Sequence, residues 1–147
     1  SVVGAINIPG MGELLHAARG EGCSWNGRRA HVSGVAALSD SLLLATDAES
    51  MAKHGRAAAY RRMVAATKLQ RSWGDAYGYV LVATGRAEVM LDPVVSVWDV
   101  AAPLPVISEA GGTFTDWSGE QTIHSGEAIA TNGLVYAQLM ALVGERE

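Results

Sequence analysis

The chain has 147 residues, the length of one ordinary domain, and 49% of them are hydrophobic while 18% are charged. This composition supports a sizeable buried core and excludes a disordered chain. The net charge of −4 argues against nucleic acid or an anionic membrane as a partner, because both attract basic surfaces. The single cysteine, Cys23, excludes an internal disulfide and a cysteine-based zinc finger.

Membrane insertion and secretion are not expected from this sequence. No apolar run approaches the roughly 18 residues that a membrane-spanning helix needs, and the chain shows no secretory signal. We therefore expect a soluble, cytoplasmic protein. The apolar stretch 1–6 opens the chain without a polar lead-in, which is typical of a chain that begins inside a structure.

Residues 1–38 predict a small antiparallel meander. Strands are expected over 2–8, 13–18 and 23–25, because turn residues separate these short apolar stretches. Asn26-Gly27 predicts a tight hairpin turn, since this pair adopts positive φ easily. A sheet of this size buries little apolar surface, so it needs a partner.

Residues 39–147 predict an α/β domain, because short strands alternate with helices. The result is a mixed sheet covered by helices, with a domain boundary near residue 38. The expected strands are 41–46, 68–72, 87–91, 113–117 and 127–131, and the expected helices are 51–66, 75–84, 100–110 and 134–143.

Asp99 is the first candidate for chemistry. It follows a strand and a loop and opens a predicted helix, which is where open α/β sheets bind ligands. A helix start suits phosphate, and a carboxylate beside it can hold Mg²⁺. Asp is also among the best N-cap residues, so a purely structural role for Asp99 stays open.

The string Trp98-Asp99-Val100-Ala101-Ala102, followed by Glu109-Ala110-Gly111-Gly112, resembles a signature of the inositol monophosphatase family of Mg²⁺-dependent phosphatases. Residues 85–88 and 130–133 resemble flanking segments of the same family. The resemblance implies that Asp99 is a metal ligand and that Val100, Ala101 and Ala102 lie close to the substrate phosphate.

A second string, Arg71-Ser72-Trp73-Gly74-Asp75-Ala76-Tyr77-Gly78-Tyr79, resembles the histidinol-phosphate phosphatase branch of that family. Many family members carry a small residue where this chain has Asp75. A carboxylate there suits a cationic group such as an amine, because a charged donor makes the stronger hydrogen bond. We expect Asp75, Arg71 and Trp73 to contact substrate, although Asp75 as a helix N-cap and Trp73 as a packing residue are the structural alternatives.

Asp92 stands seven residues before Asp99. In family members that hydrolyse inositol phosphates, this position is an acidic residue that touches the substrate, so the resemblance implies a substrate contact here too. Asp92-Pro93 is equally typical of a turn without any further role.

The family's D-P-x-D-G-T metal-binding signature is absent from this sequence. Metal-assisted displacement needs a clamp on the attacking and the leaving oxygen, and Asp99 alone cannot supply it. The chain therefore resembles the carboxyl-terminal half of a phosphatase, with 1–38 as the last strands of a first domain and 39–147 as the second domain.

These observations predict part of a Mg²⁺-dependent phosphatase that hydrolyses histidinol phosphate and is inactive as this chain alone. A phosphatase acting on inositol monophosphate is the alternative. A non-catalytic module that binds a phosphorylated metabolite, or an interaction fragment, also stays open. The expected partners are a small phosphorylated metabolite, the first half of the fold and a second copy of the chain.

Overall fold

The first of two β-sheets is an antiparallel meander. The computed structural model describes residues 2–144, with residues 1 and 145–147 outside the described part. Four strands pair in chain order: β1 (Val3–Ile8), β2 (Glu13–Ala18), β3 (Gly22–Trp25) and β4 (Arg28–Arg29). Asn26 and Gly27, with φ of 48° and 77°, form the turn between β3 and β4, as their sequence predicts.

The second sheet is mixed, with strand order β6-β5-β7-β9-β8. Its strands are β5 (Leu42–Ala45), β6 (Leu69–Ser72), β7 (Val89–Asp92), β8 (Thr113–Thr115) and β9 (Ala128–Thr131). β5 pairs in parallel with β6 and β7, whereas β9 pairs antiparallel with β7 and β8. An antiparallel sheet followed by a helix-covered mixed sheet confirms the predicted fold class.

The described helices are α1 (Ala48–Lys53), α2 (Ala57–Ala66), α3 (Asp75–Ala83), α4 (Val97–Val100), α5 (Pro103–Glu109) and α6 (Tyr136–Met140). Within residues 2–144, every helix is too short or too polar to traverse a lipid bilayer.

Two predicted helices are broken in the structure. The helix predicted over 51–66 is divided between α1 and α2, because Gly55 adopts a left-handed φ of 72° that ends the first segment. The helix predicted over 100–110 begins only at Pro103, where the missing N–H of proline is tolerated in a first turn.

Helix α5 joins the two sheets. It packs on β1, β2 and β3 and also on α3 and β8. One hydrophobic cluster therefore contains Leu15 from the meander together with Tyr79, Ile107 and Phe114 from the α/β part. β1 approaches α5 closely, since a Cβ at Gly4 would lie 2.6 Å from the carbonyl oxygen of Ala102. The proposed domain boundary near residue 38 stays a prediction.

Candidate functional site

A cavity of about 450 Å³ lies where β1, the start of α3, the end of β7 and the α4–α5 region meet. Its acidic residues are Asp75, Asp92 and Asp99, all three of them predicted site residues. The lining residues are Ala5, Ile6, Asn7, Thr46, Asp75, Ala76, Tyr79, Asp92, Val94, Val95, Trp98, Asp99, Ala102 and Pro103.

Asp92 ends strand β7 and is only 5% exposed. Its Oδ1 accepts a hydrogen bond from the Thr46 hydroxyl at 2.7 Å, and its Oδ2 accepts one from the Tyr79 hydroxyl at 2.6 Å. Its backbone carbonyl accepts from Nε1 of Trp117 at 3.0 Å. A residue held this firmly inside a strand is not the simple turn residue that Asp-Pro alone would indicate.

The charge on Asp92 has no basic partner. No ion pair joins Asp92 to a basic side chain in residues 2–144. Burial raises the pKa of its carboxyl group, the hydrogen bonds from Tyr79 and Thr46 oppose this, and the charges of Asp75 and Asp99 raise the pKa further. Asp92 is therefore a buried carboxyl group in a negative field.

Asp99 occupies the third position of α4, and Ser96 is the N-cap. Its Oδ2 accepts from the Ser96 N–H at 2.8 Å and completes a capping box. The simple alternative in which Asp99 is the N-cap is therefore wrong, although it does cap the helix start from inside. The residue is exposed and lines the cavity, and no donor in the described chain bonds to its Oδ1.

Asp99 fits the role of one ligand in a Mg²⁺ site, because it offers a hard carboxylate oxygen toward an open cavity. One carboxylate does not make a complete metal site. Across residues 2–144, no group of three or more His, Cys, Asp or Glu side chains is arranged to hold a metal ion.

Asp75 opens α3 in a left-handed conformation, with φ of 55°. Gly74 is the N-cap of the helix, so the N-cap alternative for Asp75 is wrong. Positive φ is unfavourable for a residue with a Cβ, and such strain is concentrated at functional sites. The exposed side chain faces the cavity and has no hydrogen-bond partner among residues 2–144.

Four other predicted residues lie outside the cavity lining. Arg71 is exposed and donates to the carbonyl of Gln70. Trp73 is 46% exposed and packs against Tyr77, with the ring centroids 5.3 Å apart and the ring planes tilted by 46°. Val100 is buried in the core, and Ala101 is half-buried between α4 and α5. No long helix begins at Asp99, because α4 ends at Val100 and α5 begins at Pro103, while Ala102 lines the cavity. The proximity of Val100, Ala101 and Ala102 to the substrate phosphate stays a prediction. Substrate contacts by Arg71 and Trp73 stay predictions.

Sequence reasoning missed Thr46 and Tyr79. Both hydroxyls touch Asp92, and both residues line the cavity. Thr46 directly follows β5, which lies parallel to β7, so the carboxyl ends of the two strands meet at one sheet edge. That rule brings Thr46 and Asp92 together in advance, whereas nothing in the pattern assigned Tyr79.

The described cavity is acidic. Three carboxylates line it, and its lining residues in the described chain include no Lys, Arg or His. Like charges around a confined space favour a bound cation, because each carboxylate raises the free energy of the ionised form of its neighbours and a cation lowers it. The site is thus suited to a ligand that carries positive charge, to a metal ion, or to both.

The family model described as "Inositol monophosphatase family" matches residues 1–146. The chain belongs to this family. A curated relative named histidinol-phosphatase, from Chlorobaculum parvum, is 39% identical over 146 residues, which cover 99% of this chain and 56% of the relative. A Thermotoga maritima relative named fructose-1,6-bisphosphatase/inositol-1-monophosphatase is 31% identical and covers 97% of this chain and 55% of its own length.

The fold is likewise that of the family. The solved structure of inositol monophosphatase from Anabaena (Nostoc) is similar, with a TM-score of 0.87 at 31% identity over 95% of this chain and 60% of that one. The chain spans about half the length of the curated relatives it matches.

Proposed function

We propose that this chain is part of a metal-dependent phosphatase that hydrolyses histidinol phosphate to histidinol and phosphate, with Mg²⁺ as its metal. The observation that carries the proposal is the acidic cavity, in which Asp75 and Asp92 face the same space without a basic partner. The histidinol-phosphatase name of the Chlorobaculum parvum relative supports the same substrate.

The two carboxylates would bind the organic part of the substrate. Histidinol phosphate carries an amine and an imidazole, both of which can be cationic donors. A carboxylate that accepts from an ionised donor makes a stronger hydrogen bond than one that accepts from a neutral hydroxyl. Asp75 is exposed at the cavity wall and Asp92 is buried behind it, so they would grip two separate positive groups.

Asp99 would contribute one carboxylate oxygen to the metal. A Mg²⁺ ion held there would supply positive charge against the phosphate and would make a water molecule more acidic and hence a better nucleophile. Because Asp99 also caps α4 through its other oxygen, its free oxygen has a fixed direction. We propose that the remaining ligands come from polypeptide outside this chain, which covers 56% of the relative's length.

The test is a phosphatase assay with Mg²⁺ on the longest polypeptide that the coding sequence specifies. We expect histidinol phosphate to be turned over faster than inositol 1-phosphate, and Asp99→Asn to reduce activity at least a hundredfold while weakening the Mg²⁺ dependence. Asn preserves the shape of the Asp side chain, so the variant should fold like the parent, and circular dichroism checks that it does. Equal or faster turnover of inositol phosphate would contradict the substrate, and unchanged activity in Asp99→Asn would contradict the metal role.

Inositol phosphate is the second candidate. The Thermotoga maritima relative has inositol-1-monophosphatase in its name, and a carboxylate such as Asp92 also accepts hydrogen bonds from neutral hydroxyls. The acidic cavity favours the cationic substrate over the neutral ring. Removing one charge with Asp75→Asn separates the two candidates, since it should raise the KM for histidinol phosphate much more than that for inositol phosphate.

We also propose that the 147-residue chain alone has no phosphatase turnover and that the working enzyme is a homodimer. The first part follows from the single carboxylate ligand at Asp99. Hydrolysis by the purified chain would refute it. Light scattering on the active polypeptide measures the native mass, and a mass equal to one subunit would refute the dimer.

A further inference from the structure

Tyr79 and Thr46 hold the Asp92 carboxylate from opposite sides. The Tyr79 hydroxyl comes from helix α3 and the Thr46 hydroxyl from the end of β5, and each takes a different oxygen of Asp92. The Asp92 backbone carbonyl also accepts a hydrogen bond from Trp117, so both the backbone and the side chain of this residue are held by partners. Each hydroxyl bonds to the carboxylate of a cavity residue and not to a backbone group.

Both contacts leave Asp92 able to bind a ligand. A carboxylate has about four lone-pair positions, and two hydroxyl donors use only two of them. Both donors carry their protons toward Asp92, so they stabilise its charged form and leave only acceptor positions for the cavity. Burial and the neighbouring Asp92 raise the pKa of Tyr79 well above its usual value, which keeps Tyr79 a donor.

Without these hydroxyls, Asp92 would be hard to keep ionised. It is buried, and the charges that face it are those of Asp75 and Asp99. All of these influences favour the protonated form, and the hydrogen bonds from Tyr79 and Thr46 oppose them. A protonated Asp92 would lose its attraction for a cation.

We propose that Tyr79 and Thr46 are positioning residues that keep Asp92 charged and aimed at the cavity, so that it selects a ligand with a cationic nitrogen. The proposal rests on the proposed function and extends it to two residues that need not touch the substrate. Tyr79 sits one helical turn after Asp75, so α3 carries both a direct acidic contact and the support for the second one.

The experiment removes the hydroxyls one at a time. Tyr79→Phe and Thr46→Val each delete one donor at nearly constant shape, whereas Thr46→Ser keeps the hydroxyl. Tyr136→Phe is the matched control, because its hydroxyl bonds to Thr115 outside the cavity lining. Each variant, made in the longest polypeptide that the coding sequence specifies, is titrated with histidinol by calorimetry between pH 4 and 8, and the Asp92 side-chain carbon is followed by NMR.

We expect Tyr79→Phe and Thr46→Val to bind histidinol about tenfold more weakly near pH 6, the loss typical of one hydrogen bond to a charged group. The pKa of Asp92 should rise in both variants, so that, as the pH is lowered, they should lose histidinol binding at a higher pH than the parent does. Thr46→Ser and Tyr136→Phe should behave like the parent chain. In the active polypeptide, Tyr79→Phe should raise the KM for histidinol phosphate more than it lowers kcat.

Each other outcome overturns the proposal in a distinguishable way. A raised Asp92 pKa with unchanged histidinol affinity would show that the two hydroxyls do not position Asp92 for a ligand, and it leaves the proposed function standing. An unchanged Asp92 pKa in Tyr79→Phe would show that the hydroxyl does not support the charge. If the active polypeptide does not turn over histidinol phosphate, the proposed substrate is wrong, whereas unchanged histidinol affinity in Tyr79→Phe and Thr46→Val of an active polypeptide overturns this proposal alone.

Discussion

Asp75 is held in a conformation that its own residue type disfavours, so replacing it should stabilise the protein while removing function. Its φ is 55°, and its side chain makes no hydrogen bond to the rest of residues 2–144. In Asp75→Gly the backbone is relieved of the left-handed penalty, since glycine adopts positive φ freely. The same change removes one of three carboxylates around the cavity.

The magnitude follows from two opposing effects. A left-handed residue with a Cβ costs about 1–2 kcal/mol, and Asp lies at the low end because its short polar side chain tolerates this region. Glycine offsets about 0.5–1 kcal/mol of this gain in stability, because it increases the conformational entropy of the unfolded chain. We expect Asp75→Gly to raise the free energy of unfolding by about 0.5 kcal/mol, with relief of the repulsion from Asp92 and Asp99 adding to this.

Urea denaturation measures the effect, and the expected shift of the midpoint is about 0.3 M for a domain of this size. Asn26→Gly is the matched control, because Asn26 also has positive φ, at 48°. Its side chain, however, accepts from the Leu14 N–H and donates to the Gly12 carbonyl, both at 2.8 Å. Asn26→Gly should therefore lower the unfolding free energy by about 1 kcal/mol.

Opposite signs at two positions of similar φ would support the reasoning. If Asp75→Gly instead lowers the unfolding free energy by 0.5 kcal/mol or more, Asp75 makes a stabilising contact and its conformation is not a strain retained for binding. The same variant should lose most of its affinity for histidinol. A more stable variant that still binds histidinol with parental affinity would remove Asp75 from the site.

Two further predictions concern the framework of the fold. Gly112→Ala should lower the free energy of unfolding by about 1–3 kcal/mol, since the added Cβ would lie 2.5 Å from the carbonyl oxygen of Thr131. Gly34→Ala is the control, because its Cβ would meet nothing within 4 Å, and it should change the stability measured by thermal unfolding little. The hydrogen bond from Arg86 is the main cause of a lowered pKa at Glu13, so the wild type should exceed Glu13→Gln in stability above pH 4.5. This advantage should vanish as the pH falls through the lowered pKa, and a constant difference down to pH 2 in acid denaturation would contradict it.

The fold could be predicted wherever local chemistry determines the backbone. Asn26-Gly27 forms its hairpin because this pair adopts positive φ at low cost. The apolar run at 42–45 becomes a strand buried between two neighbours, as parallel sheets require. In both cases a short stretch of sequence contains the whole physical reason for the structure.

The predicted helix boundaries are wrong where tertiary packing outweighs the local sequence pattern. Residues 51–66 are rich in good helix formers, yet Gly55 turns the chain back so that α1 and α2 pack against each other. Pro103 sits inside an apolar stretch that otherwise favours a continuous helix, and it forces a new first turn. Both residues are visible in the sequence, but the packing that decides whether a helix continues through them is not.

The acidic residues could be identified in advance, but their environments could not. Asp92 follows an ordinary strand and precedes a proline, so its sequence favours an exposed turn as strongly as a binding site. Its burial and its two hydroxyl partners arise from strand β5 and helix α3, which lie 46 and 13 residues away along the chain. The sheet-edge rule brings Thr46 close to Asp92, whereas nothing in the local sequence indicates the contact with Tyr79 or the burial of Asp92.

The acidic cavity predicts that the binding of a metal and the binding of a cationic substrate are coupled. Asp75, Asp92 and Asp99 line one cavity, and bound positive charge relieves the repulsion between their charged forms. An ammonium group at Asp75 and Asp92 relieves part of it, and a metal at Asp99 relieves the rest. Asp99 alone holds an ion weakly, so binding of metal and of cationic substrate should be cooperative, each lowering the free energy of the other. The order of addition in calorimetry tests this, and equal Mg²⁺ affinity with and without histidinol would refute it.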